Sequence, residues 1–293
     1  MEKFKYSLLV FLGGCSYGIV ATFVKFAYKD GFTMQEITGA HYSFGVIFLW
    51  FAASFVKKDK LTGKQWLFHL LSGLPLGFTS ICYNHSLEYI NASFAIILLL
   101  QFTWISPLLR LIFLKEKPSN RANIAIVIIL IGTLFAAGIV ENGVNFSLYG
   151  AFFALLAAIS FASFIFISGL NKTPLNPIYK SAIMATGGAI FVLTVMPPTF
   201  LFSGALFHGL AKYGLAVSLF SLLIPTIFFN IGMPKIGTLG SILATSELPM
   251  AIIMSTLVLK ETVTLLQWLG VILILSGIIF ANYQPSKKFI KNS

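Results

Sequence analysis

The sequence predicts an all-α integral membrane protein of ten transmembrane helices, arranged as two five-helix repeats of inverted topology. Three observations carry this: a composition made for lipid, apolar runs of spanning length, and a charge asymmetry between alternate loops. Hydrophobic residues make up 57% of the 293 residues and charged ones 10%, against roughly 45–50% and 25% in soluble domains. With 30 phenylalanines, the apolar supply exceeds what one soluble core hides, so the excess must face acyl chains. At about 20 residues per span, the length accommodates one membrane domain and no separate soluble one.

The first run, near 5–28, follows Lys3 and Lys5 and ends at Lys29-Asp30-Gly31. The second, 34–56, stops at Lys57-Lys58-Asp59-Lys60, and the third, 65–87, begins after Lys64. The fourth, 92–114, is closed by Lys115-Glu116-Lys117-Pro118, and the fifth covers 121–140. Five more follow near 148–169, 178–201, 211–233, 236–259 and 264–283. Helices are expected because backbone in lipid must satisfy its own hydrogen bonds, and no run alternates with the period of a strand.

Under this reading one side of the membrane collects Lys3, Lys5, Lys57, Lys58, Lys60, Lys64, Lys115, Lys117, Arg121, Lys172, Lys180, Lys235, Lys287, Lys288 and Lys291. The other collects Lys29, Lys212 and Lys260, with Lys25 and Arg110 left inside spans. This excess puts both termini in the cytoplasm of a multi-pass protein of the cytoplasmic (inner) membrane. The formal charge of +11 is therefore a topology signal. No basic patch with interleaved aromatics appears, and nucleic acid is not an expected partner. Cys15 and Cys82 both lie in apolar runs and read as packing residues, with no metal or cofactor implied. The apolar run continues past Cys15 to Ala27, which argues against a cleaved lipoprotein signal.

The chain also repeats itself. A shift of 145 superposes Leu114-Lys115-Glu116 on Leu259-Lys260-Glu261, Gly132 on Gly277 and Phe135 on Phe280. A shift of 144 superposes Ser16-Tyr17-Gly18 on Ser160-Phe161-Ala162. The expected units are 1–143 and 144–293. With five spans each, the second unit must enter the membrane from the opposite side, a layout suited to alternating access around a midplane site.

These residues resemble the drug/metabolite transporter superfamily, EamA type. The ninth and tenth spans carry the strongest match: Glu247-Leu248-Pro249, then Leu259-Lys260-Glu261-Thr262, Thr264, Gln267, Gly270 and Gly277. The first half keeps Pro107, one turn displaced, Lys115-Glu116 and Gly132, with Tyr17-Gly18 where the family often has Trp-Gly. Lysine stands at 115 and 260 where the family usually has glycine. The resemblance covers nearly the whole chain and implies a metabolite carrier, without fixing its substrate.

Glu247 lies near the middle of the ninth span, where an acid costs roughly 2.5–3.5 kcal/mol on insertion scales. It is the candidate for proton coupling, or for direct binding of a cationic amine. Its competing reading is a protonated acid bonded to a neighbouring helix. Gln101 and Trp104 lie at matching depth in the fourth span and offer an amide and an indole to a planar or zwitterionic metabolite; interhelical bonding and lipid contact are the structural alternatives. His41, Tyr83, Asn84 and Asn230 are polar groups needing a partner or a cavity. Tyr17 and Phe161, related by the repeat, would form an aromatic wall or simply pack. Lys25 and Arg110 sit near span ends and can snorkel. Gly14 and Gly18 form a small-xxx-small pair for close helix approach, as do Gly237 and Gly240 beside Pro234. The sequons at Asn91, Asn145 and Asn171 fall on both sides of the membrane, as chance would place them.

A secondary carrier is the leading expectation, because no phosphate-binding loop or ATPase domain occurs. A channel would need a filter sequence, which is absent. An intramembrane enzyme would need HExxH, GxSxG or paired intramembrane acids, and no catalytic residue is assigned. The expected partners are the bilayer and a small-molecule substrate.

Overall fold

Backbone that cannot turn to water closes its hydrogen bonds locally, and every element among the described residues is helical. The computed structural model describes residues 2–86, 89–90, 92–138, 147–170, 175–260 and 262–282. In order these form α1 (Glu2–Lys29), α2 (Met34–Ser54), α3 (Gly63–Leu71), α4 (Leu74–Ser86), α5 (Ala92–Leu99), α6 (Phe102–Leu114) and α7 (Asn120–Ala136). Then follow α8 (Leu148–Ser168), α9 (Pro177–Val195), α10 (Ala211–Ser218), α11 (Ile224–Ile236), α12 (Leu239–Ala244), α13 (Glu247–Leu257) and α14 (Leu265–Asn282). Wide π-type turns at Leu206–Leu210 and Leu219–Leu223 flank α10. Eight helical stretches among the described residues are long and apolar enough to cross a membrane, with α5–α6, Leu206–Ile236 and α12–α13 each counting as one. The chain is a multi-pass membrane protein.

Helix starts follow local chemistry. Thr33 and Thr62 each accept from the backbone three residues on, while Glu36 and Gln65 reach back to the capping residue. Ser119 caps α7, and Asn176 precedes Pro177 at the first turn of α9. Before α14 the pair Thr264 and Gln267 closes the same reciprocal box, at 3.0 and 3.2 Å. Ser119 and Thr264 are related by the repeat offset, so this stretch of the family-like motif is a helix start.

The helices depart from the expected spans where packing demands it. The third span is interrupted between α3 and α4 because Gly73 and Gly187 bring two backbones into contact. An added Cβ at Gly73 would lie 1.7 Å from the Met184 carbonyl oxygen, and one at Gly187 1.8 Å from that of Leu70. The seventh span ends at Val195, ahead of Pro197-Pro198. The eighth begins earlier than expected, at Leu206, and Gly209 bends its start with φ 111°.

The fourth and ninth spans are each broken near the middle. Gln101 and Thr103 bond back to Leu98 and Leu100, three residues earlier, and Thr245, Ser246 and Leu248 do the same to Ile242, Leu243 and Thr245. The repeat offset carries the break at Leu100–Gln101 onto the one at Thr245–Ser246. It likewise carries Lys115 onto Lys260, the two residues other than glycine with positive φ among those described, at 59° and 56°. Glycine would be the unstrained residue there, which explains why lysine at these positions departs from the family pattern without changing the topology.

A reciprocal contact appears where α7 packs on α14. An added Cβ at Gly132 would lie 2.9 Å from Leu273 Cβ, and one at Gly277 would lie 3.4 Å from Ile128 Cγ2. Exchanging the two halves through the repeat offset turns one contact into the other.

The bundle has two chemically distinct ends. At one, Ser7 donates to Asn282 at 3.2 Å, so the start of α1 and the end of α14 lie together. Arg110 is at the same end. Its Nε donates to Glu116 at 3.0 Å, its Nη2 also reaches Glu116, and the guanidinium passes beside Gly169 and Gly237. Snorkelling is thus replaced by an ion pair tucked among three chain segments. Lys180, 8% exposed, donates to the Ser168 and Leu170 carbonyls at the end of α8, where a cation meets the negative end of the helix. At the opposite end, Asp30 accepts from Tyr213 at 2.6 Å and Lys212 at 3.2 Å. Lys25, Lys29 and Lys260 line a cavity of about 370 Å³ there. The three lysines expected outside therefore share one end. Lys172, Lys287, Lys288 and Lys291, Glu261, the asparagines of the three sequons and the 143/144 boundary lie outside the described residues.

Candidate substrate site

The helix breaks set the site. Phe102 opens α6 and Glu247 opens α13; the repeat offset relates them, so they occupy corresponding places in the two halves. A third element crosses both. α1 approaches α13 so closely that an added Cβ at Gly14 would lie 2.3 Å from Ser246 Oγ, and one at Gly18 2.4 Å from the Glu247 carbonyl oxygen. Only glycine permits that approach. Ser246 fastens the contact by donating to the Phe11 carbonyl at 2.7 Å, and Ser16 donates to the Phe220 carbonyl, in the second π-type turn, at 2.6 Å.

Tyr17, on the same stretch of α1, meets Phe161 of α8 edge to face, with ring centroids 5.6 Å apart and an interplanar angle of 84°. Phe229 of α11 lies 6.0 Å from Tyr17. Behind them Phe102 stands 4.9 Å from Phe161, nearly perpendicular, and Phe164 bridges Phe161 and Phe229 at 6.0 and 6.2 Å. Phe102, Phe164 and Phe229 are fully buried. Tyr17, Tyr83 and Glu247 keep some accessible surface deep in the bundle.

Polar groups converge on this aromatic cluster. The Glu247 carboxylate lies within electrostatic reach of the Tyr17 and Tyr83 hydroxyls, and the Tyr42 hydroxyl within reach of Tyr17. Tyr42 exchanges a hydrogen bond with Ser80 at 3.1 Å. The Tyr17 hydroxyl is buried and has no hydrogen-bond partner among the described residues. Such a group costs about 1–3 kcal/mol until something bonds to it.

Of the sequence-derived candidates, Tyr17 and Phe161 touch, and Glu247 lies within electrostatic reach of Tyr17 and Tyr83. Asn84 follows Tyr83 on α4 and is partly exposed. His41 is buried beside Tyr42, ring centroids 4.4 Å apart, and bonds to the Ile37 backbone. Asn230 ties α11 to α9, its amide donating to Ser181 at 2.9 Å; its Oδ1 is buried without a partner among the described residues.

Gln101 and Trp104 are directed elsewhere. The Trp104 indole donates to Gln101 Oε1 at 2.8 Å, and the Gln101 amide donates to the Ile97 carbonyl at 3.0 Å. Trp104, 42% exposed, continues along α6 into Leu108 and Ile112 at four-residue spacing, the signature of a lipid-facing stripe. It lines a groove of about 250 Å³ with Pro107, Leu111, Pro118 and Asn123. Stepping two positions along a helix turns a side chain through slightly more than half a turn. Phe102 therefore faces inward while Trp104 faces out.

Phe102, Tyr42, Phe164 and Phe229 were not singled out from sequence. Phe102 was reachable, since the repeat offset pairs it with Glu247. The others sit in apolar runs whose inward positions no pattern marks.

Comparison with known proteins identifies the fold and the family. A solved crystal structure with 15% sequence identity superposes with a TM-score of 0.73, covering 93% of this chain and 96% of its own, which establishes the shared fold. No curated protein matches the chain. The model of the EamA-like transporter family matches twice, over residues 4–138 and 148–283. With nearly its whole length accounted for by two copies of that model, the chain belongs to the EamA-like transporter family, membrane transporters of the drug/metabolite type.

Proposed function

We propose that this chain is a secondary carrier of small metabolites, amines or amino acids among them, across the cytoplasmic membrane. Taking α3–α4, α5–α6, Leu206–Ile236 and α12–α13 as one crossing each, and α7 as another, supports a reading of ten crossings in two inverted halves. The lysine-rich end holding Ser7 and Asn282 is then cytoplasmic by the positive-inside rule.

The observation that carries the reading is Glu247 at a mid-helix break, within electrostatic reach of Tyr17 and Tyr83, with the corresponding break in the other half at Phe102. Discontinuous helices at the centre of repeat-built carriers form substrate sites, because a broken ladder supplies polar groups without lipid-exposed backbone. Alternating access opens this centre to one end and then the other as the halves exchange conformations. At the outer end, the Asp30–Lys212–Tyr213 cluster joins the two halves and must part for the centre to open that way. Glu247 takes up a proton on one side and releases it on the other, which ties substrate movement to the proton gradient.

Reconstituted liposomes test this. Saturable counterflow of a labelled amine or amino acid is expected, accelerated by an imposed proton gradient. The Glu247→Gln variant should lose that acceleration; transport still driven by protons in it would remove Glu247 from the coupling step. Flux that neither saturates nor shows counterflow would replace the carrier by a channel.

A further inference from the structure

We propose that the central site is selective for an organic cation, a protonated or quaternary amine. This deepens the carrier reading and takes its site from it.

The sign of the charge comes first. Glu247 is the charged side chain within electrostatic reach of Tyr17 and Tyr83. The buried cations nearest in sequence to the site's helices are committed elsewhere: Arg110 to Glu116, and Lys180 to the carbonyls of Ser168 and Leu170. An incoming ammonium group thus finds a carboxylate with no competing cation bonded to it among the described residues.

The aromatic rings packed on Tyr17 strengthen the preference. Tyr17 and Phe161 meet edge to face, backed by Phe229, Phe102 and Phe164. Aromatic faces carry negative quadrupoles that attract ammonium groups and repel anions. The buried Tyr17 hydroxyl, without a partner among the described residues, offers an oxygen to an ammonium N–H.

A zwitterion also needs a home for its carboxylate, and the amides that follow Phe102 and Glu247 at the helix breaks are already engaged. The amides of Thr103, Trp104 and Ile105 at the start of α6 already bond to Leu100 and Gln101, and those of Leu248 and Met250 in α13 bond to Thr245 and Ser246. Pro249 has no amide hydrogen to offer. The positive end of α13 is occupied by the protein's own Glu247.

Four probes sharing one ring make the test: 2-phenylethylamine, 2-phenylethanol, phenylacetate and phenylalanine, each titrated calorimetrically into the full-length purified protein in detergent. The amine should bind at least about 10-fold more tightly than the alcohol, with phenylacetate and phenylalanine failing to displace it. The comparison is made on the unmodified protein, so it does not depend on any variant folding. Glu247→Gln should reduce amine affinity about 10-fold or more and leave alcohol binding unchanged, and Tyr17→Leu should reduce it several-fold. Equal affinity for amine and alcohol, phenylalanine binding as tightly as the amine, or no amine binding overturns cation selectivity. Counterflow separates the two readings. If liposomes exchange phenylalanine while the amine does not bind, the carrier stands and the cation inference falls. If the amine binds selectively but shows no counterflow, the reverse holds.

Discussion

Tyr17 and Phe161 are related by the repeat and touch each other, edge to face at 5.6 Å. The flanking positions Glu247, within electrostatic reach of Tyr17, and Phe102, against Phe161, are related by the repeat offset, but the pair Tyr17 and Glu247 supplies hydroxyl and carboxylate where the pair Phe161 and Phe102 supplies only rings. Positions related by the repeat offset thus differ in chemistry, which leads to the first prediction.

Tyr17→Phe should leave apparent stability unchanged or raise it by up to about 1 kcal/mol, because the buried hydroxyl it removes is unpaired among the described residues. Transport in liposomes should nevertheless fall about 10-fold. A variant both less stable and fully active would mean the hydroxyl serves packing and not substrate.

Gly18→Leu should do the opposite. Its side chain would be driven into the Glu247 carbonyl and the Ala251 amide, at 2.4 and 2.7 Å from the Cβ alone. Separating α1 from α13 is expected to cost about 1–3 kcal/mol and to abolish transport. Thermal unfolding in detergent together with counterflow reads both; a stable, active variant would show that this contact opens easily.

Lys115→Gly and Lys260→Gly should each stabilise the protein by roughly 0.5–1 kcal/mol, since both lysines hold positive φ at a cost that glycine relieves, less the added entropy of the unfolded chain. Lys115→Ala and Lys260→Ala, which keep the strain, should show no gain. Paired melts of the four variants decide it, and a lower melting temperature for the glycine forms would contradict the assignment of strain.

Asp30 gives a pH signature at the outer end. The Tyr213 hydroxyl and then the Lys212 ammonium hold its carboxyl below the usual carboxylate range. A depressed folded-state value stabilises above the unfolded value, about 3.9, and the benefit disappears as pH falls through the folded one. The stability difference between wild type and Asp30→Asn should therefore be constant from pH 5 to 8 and close only in stronger acid. A difference that closes near neutrality would point to another group.

Run lengths, lysine placement and the repeat offset were enough to identify a helical membrane protein of this family, because burial in lipid imposes a pattern on every residue of a span. Position along a span is readable in the same way: Gln101 and Ser246, related by the repeat offset, sit at the two breaks, with Glu247 directly after the second. Direction around the helix is not. Once a helix is apolar on all sides, no periodicity distinguishes its inner face from its lipid face, so Trp104 read as a binding residue and Phe102, Phe164 and Phe229 went unread. Only the packing of α1 through Gly14 and Gly18 onto the α12–α13 break decided which side chains meet at the centre. It set Tyr17 within reach of Glu247, while Phe102 packed on Phe161 turned Trp104 away, because close packing fixes the rotation of one helix about its axis relative to the next.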